Sequence, residues 1–241
     1  MSAIISISKN TITRLIKDIR QLQKEPLHDQ GVYYKHDEDD LLKGYALIIG
    51  PADTPYENGF YLFELLYPTD YPFTPPKLNF LTQDGITRFN PNLYRSGKVC
   101  LSLLNTWRGE QWTSCQTISS ILLTLVTVFN DSPLLNEPGV TKNHPDFNNY
   151  NDIITFKNFD TAIYNTIHNI NENSINKLFH EEISENYQKN YDTIKNKINV
   201  LKKNKKNMLI ITNIYNMKIN IDYNEIYKKF NKNLIKSLIK I

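Results

Sequence analysis

Residues 44–81 read GYALIIGPADTPYENGFYLFELLYPTDYPFTPPKLNFL, and this stretch decides the fold. Three apolar runs rich in aromatic and branched side chains lie within it: Gly44–Ile49, Phe60–Tyr67 and Lys77–Leu81. The links between them are rich in glycine and proline, which favour turns. Strands joined in sequence by short turns pair antiparallel, because a parallel pair needs a longer crossover. The stretch therefore predicts an antiparallel meander.

Helical periodicity flanks this stretch on both sides. Residues 11–23 place their apolar side chains on one stripe, with Thr11 as the predicted N-cap and Pro26 just after the helix. Residues 118–129 are apolar around most of the helix surface, which predicts a helix buried across the sheet. The irregular segment 82–114 is long enough that a functional role is expected. This order of elements predicts an α+β domain.

The charge distribution divides the 241 residues into two regions. Of the formal net charge of +3, residues 171–241 carry +7 from 14 lysines and 7 acidic side chains, which leaves −4 for the first 170 residues. We therefore predict a core over residues 8–168 and a basic, Asn-, Lys- and Ile-rich helical extension over residues 169–241. The lysine run at 202–206 is predicted to be its least structured part, and residues 221–241 recover helical spacing.

The cysteine content and the absence of long apolar stretches indicate an intracellular protein. Cys100 and Cys115 are the only cysteines, and they form neither a CxxC pair nor a Cys/His metal spacing. We therefore expect no disulfide framework and no metal site. The start, MSAIISISKN, lacks the features of a signal peptide, and no apolar stretch is long enough for a bilayer. We expect a soluble protein of the cytoplasm or nucleus that does not bind membranes.

Two segments carry a family resemblance. Residues 49–77 resemble the strand, loop and proline turn of the ubiquitin-conjugating enzymes, and residues 88–101, RFNPNLYRSGKVCL, resemble their active-site segment. The resemblance covers about residues 11–168. Asn90 stands where the family usually has His, and with NEPG at 136–139 it resembles the large Z-type subgroup. It implies the ubiquitin-conjugating fold: an N-terminal helix, a four-stranded antiparallel meander, an active-site loop, a buried central helix and C-terminal helices.

The resemblance makes Cys100 the residue that carries the modifier as a thioester. A thioester carrier needs a thiol that is both a good nucleophile and a good leaving group, on an exposed loop that two large partners can reach in turn. Taken alone, a single cysteine is more often an inert core residue. Pro91-Asn92, eight positions upstream in the matched motif, favours the acceptor interpretation.

Three more residues are candidates for the chemistry. Asn92 either donates its side-chain amide to the tetrahedral oxyanion or closes a turn with its own backbone. Alignment on Pro133 puts Ser132 where the family often has an acidic residue that orients the incoming lysine. Asp131, just before it, either substitutes for that residue or caps a helix. No histidine lies near Cys100 in sequence, which fits a family that orients the amine rather than using a strong base.

The resemblance also implies partner surfaces. Arg14 and Lys17 match basic positions offered to the activating enzyme, although a solvated helix face explains them equally well. Phe73, Thr113 and Ser114 resemble the two-loop surface gripped by ubiquitin ligases, and an exposed Phe seldom lacks a partner. The implied partners are ubiquitin or a ubiquitin-like modifier, an activating enzyme, a ligase and protein substrates. The activating enzyme uses ATP upstream, so we expect no bound cofactor.

The basic extension and two other functional classes leave alternatives open. In the resembling subgroup such a tail packs near the core and influences which activating enzyme is accepted. Nucleic-acid binding is the weaker interpretation, because no arginine follows Arg108 and aromatic residues do not interleave with the lysines. A non-catalytic ubiquitin-binding variant would lack Cys100. A cysteine hydrolase would need a His/Asn partner pattern that the sequence does not display.

Overall fold

The computed structural model describes residues 7–231, and its centre is a four-stranded antiparallel sheet with the strands in sequence order. The strand bounds are Val32–His36 (β1), Lys43–Ile49 (β2), Phe60–Leu66 (β3) and Lys77–Phe80 (β4). The predicted meander is confirmed, and the three strands located from the sequence begin and end within one residue of these bounds. The pattern did not locate β1, because only Val32 of its five residues is buried and no alternation marks the strand.

Helix α1 covers Lys9–Lys24 and ends just before Pro26, as predicted. Its N-cap is Ser8, whose hydroxyl accepts a hydrogen bond from the amide of Thr11 at 3.0 Å. The predicted N-cap at Thr11 is wrong, because Thr11 already lies in the first turn. There it is buried and donates its hydroxyl to the carbonyl of Thr69 at 2.8 Å. This bond ties the start of α1 to the proline-rich link after β3.

Helix α2 covers Ile118–Val128 and is the buried helix that the sequence predicts. It begins with a capping box in which the side chains of Thr117 and Ser120 each accept from the other residue's backbone amide. At its C-terminal end the ring of Phe129 lies against Tyr61 of β3, with centroids 4.6 Å apart. Aromatic burial on this face of the sheet therefore fixes where α2 ends, next to the candidate site.

The C-terminal part is mostly helical, as predicted, and contains one hairpin that the sequence pattern did not reveal. Its helices are Phe147–Lys157 (α3), which continues as a π-helical turn over Asn158–Asn165, then Thr166–His168 (α4), Ser174–Leu178 (α5), His180–Asn204 (α6) and Tyr223–Asn231 (α7). Between α6 and α7, Met208–Thr212 (β5) pairs antiparallel with Met217–Ile221 (β6).

The run at 202–206 is predicted to be the least structured part of the extension, and for residues 202–204 this prediction is wrong. Helix α6 continues to Asn204, where the negative end of the helix dipole favours lysine side chains. Residues 205–207 form the link to β5. The helical spacing predicted over residues 221–241 is confirmed for Tyr223–Asn231, and its remainder lies outside the described residues.

The extension packs directly on the core. Ion pairs join the two parts: Lys35 with Glu182, Glu57 with Lys197, Asp152 with Lys205 and Asp160 with Lys229. Five consecutive residues of β2 are buried, so this strand is covered on both faces. The division at residue 168 stays a prediction. Among the helices within residues 7–231, none combines the length and apolar character needed to cross a bilayer.

Candidate active site

The segment from Asn90 to Cys100 is a tight loop pinned to the edge of the sheet. Phe80, at the end of β4, donates its amide to the carbonyl of Gly97 at 2.7 Å. Gly97 has φ +88°, a left-handed conformation that suits glycine, and its amide closes the turn on the carbonyl of Tyr94 at 2.9 Å. This turn reverses the chain, so that residues 98–100 run back alongside residues 92–94.

Cys100 is held in this loop by Asn92 at both ends of its backbone. The amide of Cys100 donates to the carbonyl of Asn92 at 2.9 Å, and the side-chain amide of Asn92 donates to the carbonyl of Cys100 at 2.7 Å. Cys100 is only 2% exposed, whereas Cys115 is exposed. The expectation of an exposed acceptor is therefore wrong for this conformation, because Leu101, Leu103 and Leu104 turn inward after it.

The two roles predicted for Asn92 are compatible in this geometry. One N–H of its side chain closes the loop on Cys100, which is the turn-closing role. The side-chain amide carries a second N–H, and an oxyanion formed on the Cys100 thioester would need such a donor. The backbone amide of Asn92 is taken by the side-chain carbonyl of Asn90 at 3.0 Å. Asn92 thus holds the loop, and the buried side chain of Asn90 fixes the backbone of Asn92.

Asn90 is fully buried and joins the loop to the end of α2. Its side-chain amide donates to the hydroxyl of Tyr56 at 3.0 Å and to the carbonyl of Val128 at 2.9 Å. Burial raises the pKa of Tyr56, so its hydroxyl stays protonated and donates to the carbonyl of Phe89 at 2.6 Å. Asn90 therefore has a structural role in place of the family's usual His, and an amide satisfies every partner at this position.

Asn136, which the sequence marked only as part of NEPG, continues this network. Its side-chain amide donates to the side-chain carbonyl of Asn90 at 3.2 Å, and its own side-chain carbonyl accepts from Asn130 at 2.8 Å. Asn130 in turn accepts from the backbone amide of Ser132 at 3.0 Å. The loop after α2, with Ser132 and Asp131, is therefore connected to the Cys100 loop through buried Asn90 and half-buried Asn130 and Asn136. Sequence spacing alone does not reveal such a connection.

Asp131 is exposed, and the alternative that it caps a helix is wrong. The short helical turn Pro133–Asn136 has Ser132 at its N-cap, with no side-chain capping bond from that residue. Within residues 7–231, only the backbone carbonyl of Asp131 is bound, by the side-chain amide of Asn151 at 3.3 Å. The carboxylate of Asp131 is thus presented to solvent beside the network. Orientation of a lysine by Asp131 or Ser132 stays a prediction.

The predicted partner residues fall into two kinds. Arg14 is engaged inside the molecule, because its guanidinium donates to Asp18 at 2.9 Å, to the carbonyl of Ser114 at 2.6 Å and to the carbonyl of Gln116. Lys17 is exposed on the same helix and is the better candidate for a partner contact. The indole of Trp112 donates to the carbonyl of Pro72 at 2.7 Å, which brings the two predicted ligase loops together.

Those two loops present an apolar tip. Phe73 is 71% exposed, and Thr113 and Ser114 are both exposed. An aromatic side chain this exposed, on a loop fixed by the Trp112 contact, has the character of a binding surface. The structure therefore places the three residues in one region, as the sequence predicted, and their ligase contact stays a prediction.

A second group of residues near the loop was missed by sequence reasoning. The guanidinium of Arg88 lies 3.4 Å from the ring centre of Tyr94 and 5.0 Å from that of Tyr215, and Arg95 donates to the carbonyl of Tyr215. Tyr215 belongs to the turn between β5 and β6. The carboxylate of Asp146 holds the same turn by accepting from two of its backbone amides, both at 2.9 Å. The hairpin of the extension thus rests on the active-site segment.

Known proteins resemble the first two thirds of the chain. A protein-family model described as "Ubiquitin-conjugating enzyme" matches residues 14–152. The ubiquitin-conjugating enzyme E2 Z of Danio rerio is 44% identical over 159 residues, which are 65% of this chain and 48% of that protein. The human E2 Z is 44% identical over 155 residues, which are 63% of this chain and 43% of that protein. These identities support the resemblance to the Z-type subgroup.

The coverage of these relatives is partial. A solved structure of human ubiquitin-conjugating enzyme E2 G1 is 31% identical and covers 50% of this chain and 94% of that one, with a TM-score of 0.44. The chain spans about half the length of the E2 Z proteins. Because the matching family model covers more than half of the chain and includes Asn92 and Cys100, this protein belongs to the ubiquitin-conjugating enzyme family.

Proposed function

We propose that this protein accepts ubiquitin, or a ubiquitin-like modifier, on Cys100 and transfers it to a lysine of a protein substrate or to a ligase. The observation that carries the proposal is the two-ended hydrogen bonding of Cys100 by Asn92, at the positions that match the family's active-site segment. This arrangement fixes the backbone around the sulfur, so that an acyl group on it would have one defined position.

The proposed reaction has two steps. The thiolate of Cys100 attacks the thioester carbonyl of the modifier on the activating enzyme, and the activating enzyme's cysteine leaves as a thiolate. The substrate amine then attacks the new thioester, an amide bond forms, and the Cys100 thiolate leaves while the amine loses a proton to solvent or to a nearby carboxylate. ATP is consumed upstream by the activating enzyme, and this chain holds no cofactor of its own.

Residues around the sulfur fit these steps. The oxyanion of each tetrahedral intermediate would be met by the second N–H of the Asn92 side chain. The solvent-facing carboxylate of Asp131, with Ser132 beside it, would orient the incoming lysine. Lys17 would contact the activating enzyme, and the loops carrying Phe73, Thr113 and Ser114 would contact a ligase. We place this activity in the cytoplasm or nucleus.

A loading assay tests the proposal. The protein is incubated with activating enzyme, ATP and ubiquitin, and the product is separated with and without reductant. We expect an adduct that reductant removes. Cys100→Ser should give an ester that survives thiol but not alkali, and Cys115→Ser should load normally because Cys115 is exposed and outside the loop. Dependence of loading on Cys115 instead of Cys100 would show that the site is misassigned.

A further inference from the structure

A cavity of about 330 Å³ lies beside the active-site segment and is lined by arginine and tyrosine side chains. Its lining residues are Arg88, Tyr94, Arg95, Ser96 and Tyr215, and they are named here the Arg88–Arg95 pocket. Four of them come from the segment that leads to Cys100, and Tyr215 comes from the hairpin of the extension. The pocket therefore exists only where the extension meets the active-site segment.

Both guanidinium groups of this pocket lack a carboxylate partner. Among the described residues 7–231, no carboxylate oxygen lies within 4.0 Å of a nitrogen of Arg88 or Arg95. Glu137, outside the pocket lining, accepts a hydrogen bond from the hydroxyl of Tyr215. Glu137 reduces the positive charge of the pocket without neutralising it. Two partly buried arginines without an acidic partner favour the binding of an anion.

The guanidinium groups are also held in position before any ligand arrives. Arg88 is fixed by the carbonyls of Asn90 and Pro91, at 3.1 and 2.6 Å, and by the faces of the two tyrosines. Arg95 donates from Nη2 to Tyr215, while its Nε is buried without a hydrogen-bond partner among the described residues. Buried donors normally have partners. Nη1 of each arginine forms no hydrogen bond within residues 7–231 and is not buried, so these two groups are left for a ligand that accepts hydrogen bonds.

The position of the pocket indicates where that ligand comes from. Arg88 binds the carbonyls directly before Asn92, and Asn92 is paired with Cys100. Backbone spacings put the pocket on the order of 10–15 Å from Cys100. An extended peptide covers this distance in roughly three to five residues. An acceptor protein whose lysine reaches Cys100 can therefore place a neighbouring acidic side chain in the pocket.

We propose that the Arg88–Arg95 pocket binds the carboxylate or phosphate of an acidic side chain in the acceptor protein, about three to five residues from the lysine that is modified. This inference rests on the proposed function, since it names the substrate class of the same site. A guanidinium group forms stronger, charge-assisted hydrogen bonds with an oxyanion than with a neutral side chain. The pocket would thus select acidic sequences around the lysine.

Single-turnover discharge of the loaded full-length protein tests this inference. The acceptors are synthetic peptides with one lysine and, four residues away, glutamate, phosphoserine or glutamine, and free lysine serves as the acceptor without a sequence. At subsaturating peptide we expect roughly tenfold faster discharge to the two acidic peptides than to the glutamine peptide, as charge-assisted hydrogen bonds imply. A preference for phosphoserine over glutamate would identify the phosphate as the better ligand.

Substitutions locate the effect in the pocket. Arg95→Gln should slow discharge to the acidic peptides to about the rate of the glutamine peptide, and Arg95→Lys should keep part of the preference. The matched control is Arg20→Gln, which removes the same charge from an exposed position of α1. Equal discharge to all three peptides, or an acidic preference that persists in Arg95→Gln, would overturn the inference.

A binding measurement separates this inference from the proposed function. Fluorescence anisotropy of the labelled phosphoserine peptide on the uncharged full chain does not depend on loading. We expect the peptide to bind Arg95→Gln more weakly than Arg20→Gln. Added salt should weaken the binding of the peptide to the unaltered chain. If loading fails while this difference is present, the proposed function is wrong and the anion pocket stands. If loading succeeds and the difference is absent, the pocket is wrong and the proposed function stands.

Discussion

At the residue scale, hydrogen bonds from asparagine side chains fix the conformation of the candidate site. Asn92 closes the Cys100 loop, Asn90 fixes Asn92 from the core, and Asn136 ties both to the loop after α2. An amide side chain can donate and accept at once without carrying charge, so Asn90 and Asn136 each join several groups of the network, and Asn92 binds the carbonyl of Cys100. The network explains how a loop of irregular backbone is held in one conformation around the sulfur of Cys100.

The Asn92 side chain should contribute more to transfer than to loading. In Asn92→Ala we expect loading by the activating enzyme to continue, because that enzyme supplies its own catalytic groups. Discharge to free lysine should slow by ~10²–10³, the usual effect of losing one oxyanion donor. The measurement is a single-turnover rate for each step, with the melting midpoint as a control for folding. A similar loss in both steps would mean that Asn92 only holds the loop.

The burial of Cys100 predicts a difference in thiol reactivity. Cys115 is exposed and Cys100 is 2% exposed, so iodoacetamide should modify Cys115 first, by a factor of about ten or more, because access limits thiol alkylation. Peptide mass spectrometry of a time course measures both sites in one sample. Denatured protein provides the control, where the two rates should converge. Faster modification of Cys100 in the folded protein would show that the loop opens readily without a partner.

At the element scale, the β5–β6 hairpin acts as a support for the active-site segment. Its turn is bound by the carboxylate of Asp146, its Tyr215 lies on Arg88, and its Met217 is fully buried with its sulfur 3.4 Å from the amide of Arg88. The hairpin belongs to the extension, whereas Arg88 and Asp146 belong to the core. Through this contact the extension can affect the conformation of the segment that contains Cys100.

Loss of the Asp146 contacts should make both the β5–β6 hairpin and the active-site segment more mobile. Asp146→Ala leaves the amides of residues 213 and 214 without their acceptor, so we expect faster hydrogen exchange over residues 208–221 and over residues 88–96. Exposed Asp192 on α6 is the matched control, and Asp192→Ala should change neither region. Faster exchange confined to the hairpin would show that the active-site segment keeps its conformation without this support.

At the scale of the whole molecule, the extension is part of the folded unit and changes its charge. It forms ion pairs with the core and supplies Tyr215 to the Arg88–Arg95 pocket. It also carries the positive charge of the chain, since residues 171–241 hold +7 and the remainder −4. The extension therefore affects the core in two ways, through direct packing and through its positive charge.

Removal of residues 169–241 should leave a protein that still melts cooperatively but at a lower temperature. The sheet and α2 lie within residues 8–168, while side chains buried against the extension become exposed. We expect slower loading, and slower discharge to acidic peptides because Arg88 and Arg95 lose Tyr215, while discharge to free lysine should change little. Added salt should slow loading of the full chain more than that of the truncation, since exposed charges are screened over roughly 10 Å. If truncation leaves the loading rate unchanged, the extension does not contribute to recognition by the activating enzyme.

Local patterns in the sequence were sufficient for α1, α2 and strands β2 to β4, and the family resemblance indicated the candidate site. The meander, α1, α2 and the Cys100 loop follow from alternation, helical spacing and a motif of neighbouring residues, which act within a few positions of the chain. The N-cap prediction failed because Thr11 and Ser8 are equally good capping residues on local grounds. The contact of Thr11 with Thr69 involves another part of the fold.

The tertiary structure alone decided the burial of Cys100, the asparagine network and the Arg88–Arg95 pocket. Arg95 and Tyr215 are 120 positions apart, and Asn90 and Asn136 are 46 apart. Contacts of this kind depend on how whole elements pack, and no local periodicity records them. The sequence by itself therefore determined which residue carries the proposed chemistry. Packing determined how that residue is covered, what supports it, and which anion can be held beside it.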